Sequence, residues 1–224
     1  MSNSNWHADR LSYLDPSGIR KVFDLAKNLK NPINLSIGQP DFHVPESIRQ
    51  KAIESITNHF NGYTVTQGID SARNALKIRE GIINNQEREL ILTSGTSGGL
   101  VLALLATVNP GDEVIILDPW FALYPNMIRL AGGTPVPVCT YPDFDLPVER
   151  IKDKISSKTK AILLNSPGNP SGRIYPADQV KALCALAHQR GILLISDEIY
   201  SSFTYEKEFA SPFQYNPDAL IVSG

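Results

Sequence analysis

A glycine-rich turn in this sequence carries groups of the kind that bind phosphate in proteins. Residues 94–99 read Ser-Gly-Thr-Ser-Gly-Gly, follow a short apolar run and lead into a helical pattern. Backbone N–H groups at such a helix start, with the hydroxyls of Thr96 and Ser97, are suited to an anion, and Gly95 allows close approach of the backbone. The alternative is that small residues here serve only tight packing.

A carboxylate ends another apolar run. Asp197 follows residues 192–196 and precedes Glu198, Ile199 and Tyr200. Burying a carboxylate at a strand end is costly unless it is paired. A protonated ligand nitrogen is a suitable partner, because a nearby carboxylate stabilises the charged form. A cap on the following loop is the alternative role.

Two further segments that follow apolar runs add an aromatic ring and amide donors. Phe121 closes the string Asp118–Phe121, with Tyr124 soon after, and could stack on a flat heterocycle or belong to the core. The string Asn165–Gly172 holds two prolines and two glycines, which favour a rigid path from which the amides of Asn165 and Asn169 could donate to a ligand oxygen. Together the four segments fit pyridoxal 5'-phosphate, which has a phosphate, a flat ring, a basic ring nitrogen and a ring oxygen.

The elements that position these segments alternate between strand and helix. Apolar runs separated by helical patterns predict a parallel sheet covered on both faces, whose ligands lie beyond the carboxyl ends of the strands. The predicted strands are Leu90–Thr93, Glu113–Leu117, Thr134–Val138, Ala161–Asn165, Ile192–Ser196 and Leu220–Ser223. The predicted helices are Ser17–Leu29, Glu46–Phe60, Ile69–Ile83, Gly98–Thr107, Phe121–Ala131, Val148–Ser156 and Ala177–Gln189, with an extended piece at Ile33–Ile37.

Composition excludes several functional classes. The chain has 224 residues, of which 42% are hydrophobic and 20% charged, so it is not disordered as a whole. Its net charge of -2 gives no reason to expect nucleic acid or an anionic membrane as partner. We expect no membrane span, no signal peptide and no metal site. The two cysteines, Cys139 and Cys184, favour a reducing, cytoplasmic setting.

The sequence resembles the class I/II aminotransferases, the fold-type I pyridoxal-phosphate enzymes, and is most similar to their aspartate- or alanine-type branch. The resemblance covers nearly the whole chain. The motifs that carry it, in the order that the family has them, are Gly38-Gln39-Pro40-Asp41-Phe42, Tyr63-Thr64 with Gly68-Ile69, the turn at 94–99, Asp118-Pro119-Trp120-Phe121, Asn165–Gly172 and Ser196–Tyr200. It implies a three-layer α/β sandwich around a mostly parallel sheet, with an arm and part of a small domain at 1–45 and an incomplete cofactor-binding large domain at 46–224.

The resemblance also implies roles for matching residues. Asp197 would bond the pyridine nitrogen as a catalytic group, and Tyr200 with Asn169 would bond the ring oxygen. The remaining implied contacts are the phosphate seat at Gly95, Thr96 and Ser97, stacking by Phe121, substrate binding by Gly38 and Asn169, and a bond from Tyr63 to the phosphate of the partner subunit. The implied assembly is a homodimer with shared active sites, and the implied substrates are an amino acid and a 2-oxo acid.

The sequence departs from the family where the catalytic lysine is expected. Ser223 resembles the start of the stretch that carries this lysine, but the sequence given ends at Gly224, and no lysine within it has the right context. The arginine that binds the substrate carboxylate is also absent. We therefore expect the 224 residues to seat a cofactor without turning over, and a non-catalytic cofactor-binding fragment or partner subunit is the alternative function.

A second enzyme class shares one motif with this chain. Residues 95–99 fit G-x-S-x-G, the nucleophile turn of α/β-hydrolases, with Ser97 as the nucleophile. Such a triad would require His188 as the base, because no histidine follows it. His188 falls late in a predicted helix rather than on a loop beyond a strand, which disfavours this alternative.

Overall fold

The structure, a computed structural model, describes residues 6–14, 30, 33, 38 and 40–224. The chain divides into two compact units, Met1–Gly18 with Ser94–Gly224, and Ile19–Thr93. The predicted helix Ser17–Leu29 lies outside the described residues, as does nearly all of the extended piece predicted at Ile33–Ile37. The predicted domain boundary between residues 45 and 46 stays a prediction.

Among its described residues, the unit Ile19–Thr93 has two helices, α1 (Glu46–Thr57) and α2 (Asp70–Arg79). Both lie within the predicted ranges, and neither buries a residue. Glu89 joins α2 to the following segment, because Arg73 and Lys77 each approach its carboxylate to 2.6 Å. The hydrogen bonds from Lys77, from the Leu90 N–H and from Arg73 lower the pKa of Glu89 to about 2.

The larger unit is built on a parallel sheet of five strands. The strands are β1 (Glu113–Asp118), β2 (Thr134–Cys139), β3 (Thr159–Asn165), β4 (Leu193–Asp197) and β5 (Leu220–Val222), in the order β2-β1-β3-β4-β5. The central strands β1 and β3 carry four consecutive buried residues each, 114–117 and 161–164. Strands that are apolar on both faces require a cover on both faces.

Helices supply that cover. They are α3 (Gly95–Thr107), α4 (Tyr124–Leu130), α5 (Val148–Lys154) and α6 (Ala177–Arg190). One apolar cluster joins α3 and α4 to the sheet through residues such as Leu104, Ile128 and Ile195. The other joins α5 and α6 to the opposite face through residues such as Ile151 and Leu183. The predicted three-layer α/β sandwich is confirmed.

The segment Leu90–Thr93 does not form the predicted strand. Its residues belong to no helix and no strand, and Ile91 and Leu92 are 54% and 39% exposed. One backbone hydrogen bond, from Leu92 N–H to the Gln67 carbonyl, spans 3.0 Å. The prediction was wrong because an apolar run becomes a strand only when a neighbouring strand pairs with its N–H and C=O groups.

No helix among the described residues is both long and apolar enough to cross a membrane.

The end of α6 offers a test of the local backbone. Gly191 follows the helix in the left-handed conformation, with φ 61° and ψ 32°, and a Cβ added there would meet no atom within 4 Å. We expect Gly191→Ala to lower the free energy of unfolding by about 1 kcal/mol, because only the backbone conformation is penalised. Gly191→Asn, whose side chain tolerates this conformation, should cost less. Urea denaturation measures both, and an asparagine variant no better than alanine would contradict the explanation.

Candidate active site

Asp197 lies at the carboxyl end of β4 and is only 4% exposed. One carboxylate oxygen, Oδ2, accepts a hydrogen bond of 2.6 Å from the Tyr124 hydroxyl. The other, Oδ1, accepts one of 3.2 Å from the Ile199 N–H. Burial raises the pKa of Asp197, and these two hydrogen bonds oppose the rise. Its hydrogen-bond partners among the described residues are thus neutral donors, and no described cation lies beside the carboxylate.

Tyr124 is the residue that sequence reasoning missed. It begins α4, is 2% exposed, and lies 73 positions before Asp197. Burial, followed by the charge of Asp197, raises the pKa of the Tyr124 hydroxyl. Its ring also meets the Phe121 ring edge-on, with centroids 5.5 Å apart and planes at 78°. Sequence reasoning noted Tyr124 only as an aromatic residue near Phe121, and no short-range pattern could reveal its partner.

The turn after β3 holds the amide groups. The side chain of Asn165 is used at both ends, since Nδ2 donates to the Asp197 carbonyl at 3.0 Å and Oδ1 accepts from the Asn169 N–H at 2.7 Å. The register of β3 and β4 places Asn165 opposite Asp197, so one N–H of its side-chain amide is used within the protein. The predicted contact of this amide with a ligand stays a prediction. Asn169 is half-buried, and its Nδ2 lies 3.4 Å from the Tyr200 hydroxyl.

A small depression lies between the ends of β1 and β3. Its wall includes Trp120 and Tyr124 from the segment after β1 and Asn165 and Asn169 from the segment after β3. A wider groove of about 470 Å³ lies beside α5 and α6, lined by Tyr141, Arg150 and Gln179 among others. In that groove Arg150 already donates to two backbone carbonyls, and neither Asp197 nor Phe121 lines it. We therefore assign the site to the strand ends around Asp197, beside the depression.

The predicted phosphate turn forms the start of α3. Gly95 has φ +70°, with no atom within 4 Å of an added Cβ, and Thr96 is half-buried while Ser97 is exposed. A Cβ built on Gly224, just beyond β5, would lie 3.5 Å from Thr96 Oγ1 and would clash with the Ile199 side chain. The start of α3 therefore lies at the same sheet edge as the residues that follow Asp197.

Two predicted site residues lie in the other unit of the chain. Gly38 is exposed with no neighbour within 4 Å of an added Cβ, and the Tyr63 ring is fully exposed. Their roles remain predictions.

The hydrolase alternative finds no support in the arrangement of the helices. Ser97 lies in α3, whose cluster covers one face of the sheet, whereas exposed His188 lies in α6, which covers the opposite face. A serine and its base require hydrogen-bond contact.

Comparison with known proteins identifies the family. The model of the family described as aminotransferase class I and II matches residues 30–224. The aspartate/prephenate aminotransferase of Thermus thermophilus is 37% identical over 210 residues, which are 91% of this chain and 54% of that protein. A solved structure of the aspartate aminotransferase from Thermus thermophilus with maleate superposes with a TM-score of 0.92 at 35% identity, over 99% of this chain and 60% of that one.

A second solved structure supports the same assignment. The alanine aminotransferase from Pyrococcus furiosus gives a TM-score of 0.83 at 30% identity, over 92% of this chain and 55% of that one. The chain spans about half the length of the curated relatives it matches. By sequence and by fold, the chain belongs to the class I and II aminotransferase family.

Proposed function

We propose that the protein is a pyridoxal-phosphate-dependent aminotransferase that transfers an amino group between an amino acid and a 2-oxo acid. The observation that carries this proposal is Asp197, a buried carboxylate at the carboxyl edge of the sheet whose described partners are neutral. Because the chain spans about half the length of its relatives, we assign the activity to the whole protein. The relatives described above are named as aspartate, aspartate/prephenate or alanine aminotransferases.

The donor and acceptor groups of the site fit the cofactor. A buried anion favours a protonated ring nitrogen beside it, so Asp197 would hold that nitrogen. The paired polar tips of Asn169 and Tyr200 would hold the ring oxygen. The half-buried ring of Phe121 would stack on the heterocycle, and the start of α3, with Gly95, Thr96 and Ser97, would hold the phosphate. The bound cofactor supplies an electron sink for charge that develops at the substrate α-carbon.

The described residues at this sheet edge contribute binding and electrostatics. Asp197 would keep the ring nitrogen charged, and Tyr200 would donate to the ring oxygen from its position three residues later. Asn165, through its two hydrogen bonds, would hold the Asp197 backbone and Asn169 at a fixed separation. Side chains that are held by hydrogen bonds within the protein lose less freedom on binding, which lowers the cost of binding.

The proposal also covers the assembly of the protein, the roles of two residues outside the larger unit and the cellular location. We propose a homodimer with shared sites, in which Tyr63 binds the phosphate held by the partner subunit and Gly38 lies beside the substrate carboxylate. We place the activity in the cytoplasm, where the thiols of Cys139 and Cys184, both free of disulfides, stay reduced.

Cofactor binding tests the proposal directly. We expect pyridoxal 5'-phosphate to quench the fluorescence of Trp120, which lines the depression, in a saturable manner. Pyridoxal, the matched ligand without phosphate, should bind about tenfold or more weakly, because it forgoes charge-assisted hydrogen bonds at the start of α3. The experiment uses the protein purified from its natural source. If that protein shows no saturable binding of pyridoxal 5'-phosphate, the proposal is overturned.

A transamination assay separates the two remaining functions. Mixtures of amino acids with a 2-oxo acid should yield the exchanged products above the rate of free cofactor. Tight cofactor binding without turnover across all amino acids would instead support a non-catalytic cofactor-binding protein.

A further inference from the structure

We propose that Tyr124 is a positioning residue, whose hydroxyl holds the Asp197 carboxylate in place for the cofactor nitrogen and whose ring supports Phe121. The inference rests on the proposed function for the role of Asp197. The Tyr124 side chain would thus support two residues that contact the cofactor, Asp197 at the end of β4 and Phe121 after β1.

The geometry of the hydrogen bond supports the first half of this role. The distance of 2.6 Å from the Tyr124 hydroxyl to Asp197 Oδ2 lies in the range of O–H···O⁻ hydrogen bonds, which are about twice as strong as neutral ones. With the Ile199 N–H on Oδ1, each carboxylate oxygen is held by one donor. An ionised carboxylate has about four acceptor sites, so about two are left for a ligand.

The electrostatic surroundings of Asp197 explain why the hydrogen bond from Tyr124 matters for its charge. Asp197 is only 4% exposed, and this burial disfavours its charged form. The described groups that face it are the Tyr124 hydroxyl from α4 and the Ile199 N–H from its own loop, with the Tyr200 hydroxyl close enough to influence Tyr124. None of these carries a positive charge at neutral pH. The Tyr124 hydroxyl therefore contributes to keeping Asp197 ionised before the cofactor binds.

The ring of Tyr124 provides the second part of the proposed role, the support of Phe121. It belongs to the apolar cluster of α3 and α4 and meets the Phe121 ring edge-on, an arrangement that aromatic pairs favour. Tyr124→Phe removes the hydroxyl and leaves this packing, whereas Tyr124→Leu removes both. The two variants thus separate the two halves of the role.

The first experiment needs no cofactor. In protein labelled with ¹³C at the aspartate carboxyl carbons, we expect Tyr124→Phe to raise the pKa of Asp197 above that of the wild type. Tyr215→Phe is the matched control, because Tyr215 is a half-buried tyrosine packed against the opposite face of the sheet. An unchanged Asp197 titration in Tyr124→Phe, or an equal change in the control, would overturn the inference.

The second experiment is a double-mutant cycle on the affinity for pyridoxal 5'-phosphate. We expect Tyr124→Phe to weaken binding about tenfold, the loss of one hydrogen bond to a charged group. The same substitution should change affinity little in an Asp197→Ala background, which has no side-chain acceptor for the Tyr124 hydroxyl. Equal weakening in both backgrounds would indicate a merely structural role and overturn the inference.

The two experiments also separate this inference from the function on which it rests. If the wild type binds no pyridoxal 5'-phosphate, the proposed function fails. The titration of Asp197 in the cofactor-free protein still decides whether Tyr124 holds the carboxylate.

Discussion

We expect Asp197→Asn to lower the rate of transamination by the whole protein about 100-fold or more. Asparagine keeps the size of the side chain and an acceptor for the Tyr124 hydroxyl, but it removes the negative charge. Removing one member of a buried ion pair costs roughly 3 kcal/mol or more, and each 1.4 kcal/mol of transition-state stabilisation is worth about tenfold in rate. The measurement is kcat together with the affinity for pyridoxal 5'-phosphate.

The control makes the same chemical change away from the site. Asp153→Asn alters an exposed carboxylate on α5, a helix that packs on the opposite face of the sheet from Tyr124. It should leave kcat and cofactor affinity within about twofold of the wild type, in keeping with the small effects of surface substitutions. If Asp197→Asn retains most of the wild-type rate, Asp197 does not hold the ring nitrogen, and the assignment of the site fails.

We expect Ile162→Ala to lower the free energy of unfolding by about 2–5 kcal/mol. Ile162 is fully buried in β3, the middle strand of the sheet, and packs in the cluster formed with α5 and α6. The substitution removes apolar contacts and leaves a cavity that close-packed neighbours fill only in part. Chemical denaturation with urea, followed by circular dichroism, measures the change.

A graded variant distinguishes packing from other causes of this loss. Ile162→Val removes a single methylene group and should cost only about 0.5–1.5 kcal/mol. If valine costs as much as alanine, the cavity explanation is wrong and a backbone rearrangement is the cause. If alanine costs less than about 1 kcal/mol, Ile162 does not belong to a closely packed core.

Much of the larger unit could be predicted from local patterns. The continuous apolar runs at 113–117 and 161–165 mark strands buried on both faces, and the structure places both in the interior of the sheet, each between two neighbouring strands. The polar segments that follow these runs meet at one edge because carboxyl ends of parallel strands share an edge. The chemical character of the residues in these segments is by itself sufficient to suggest the cofactor.

Local patterns gave a wrong prediction where strand formation depends on pairing with a distant segment. The run Leu90–Thr93 has the composition of a strand, but strand formation requires a neighbour, and the described residues provide none. Local patterns also gave no information on how Asn165 is used. Its side chain turns to Asp197 and Asn169 because the register of β3 with β4 brings a backbone carbonyl within its reach.

The sequence by itself determined which residue types stand at the strand ends and the chemistry that they can perform. Only the tertiary structure decided that the Tyr124 hydroxyl meets Asp197 from 73 positions away. The physical reason is that apolar runs and turn residues act within a few positions along the chain. The partner of a buried charge is chosen instead by the packing of a helix against a strand.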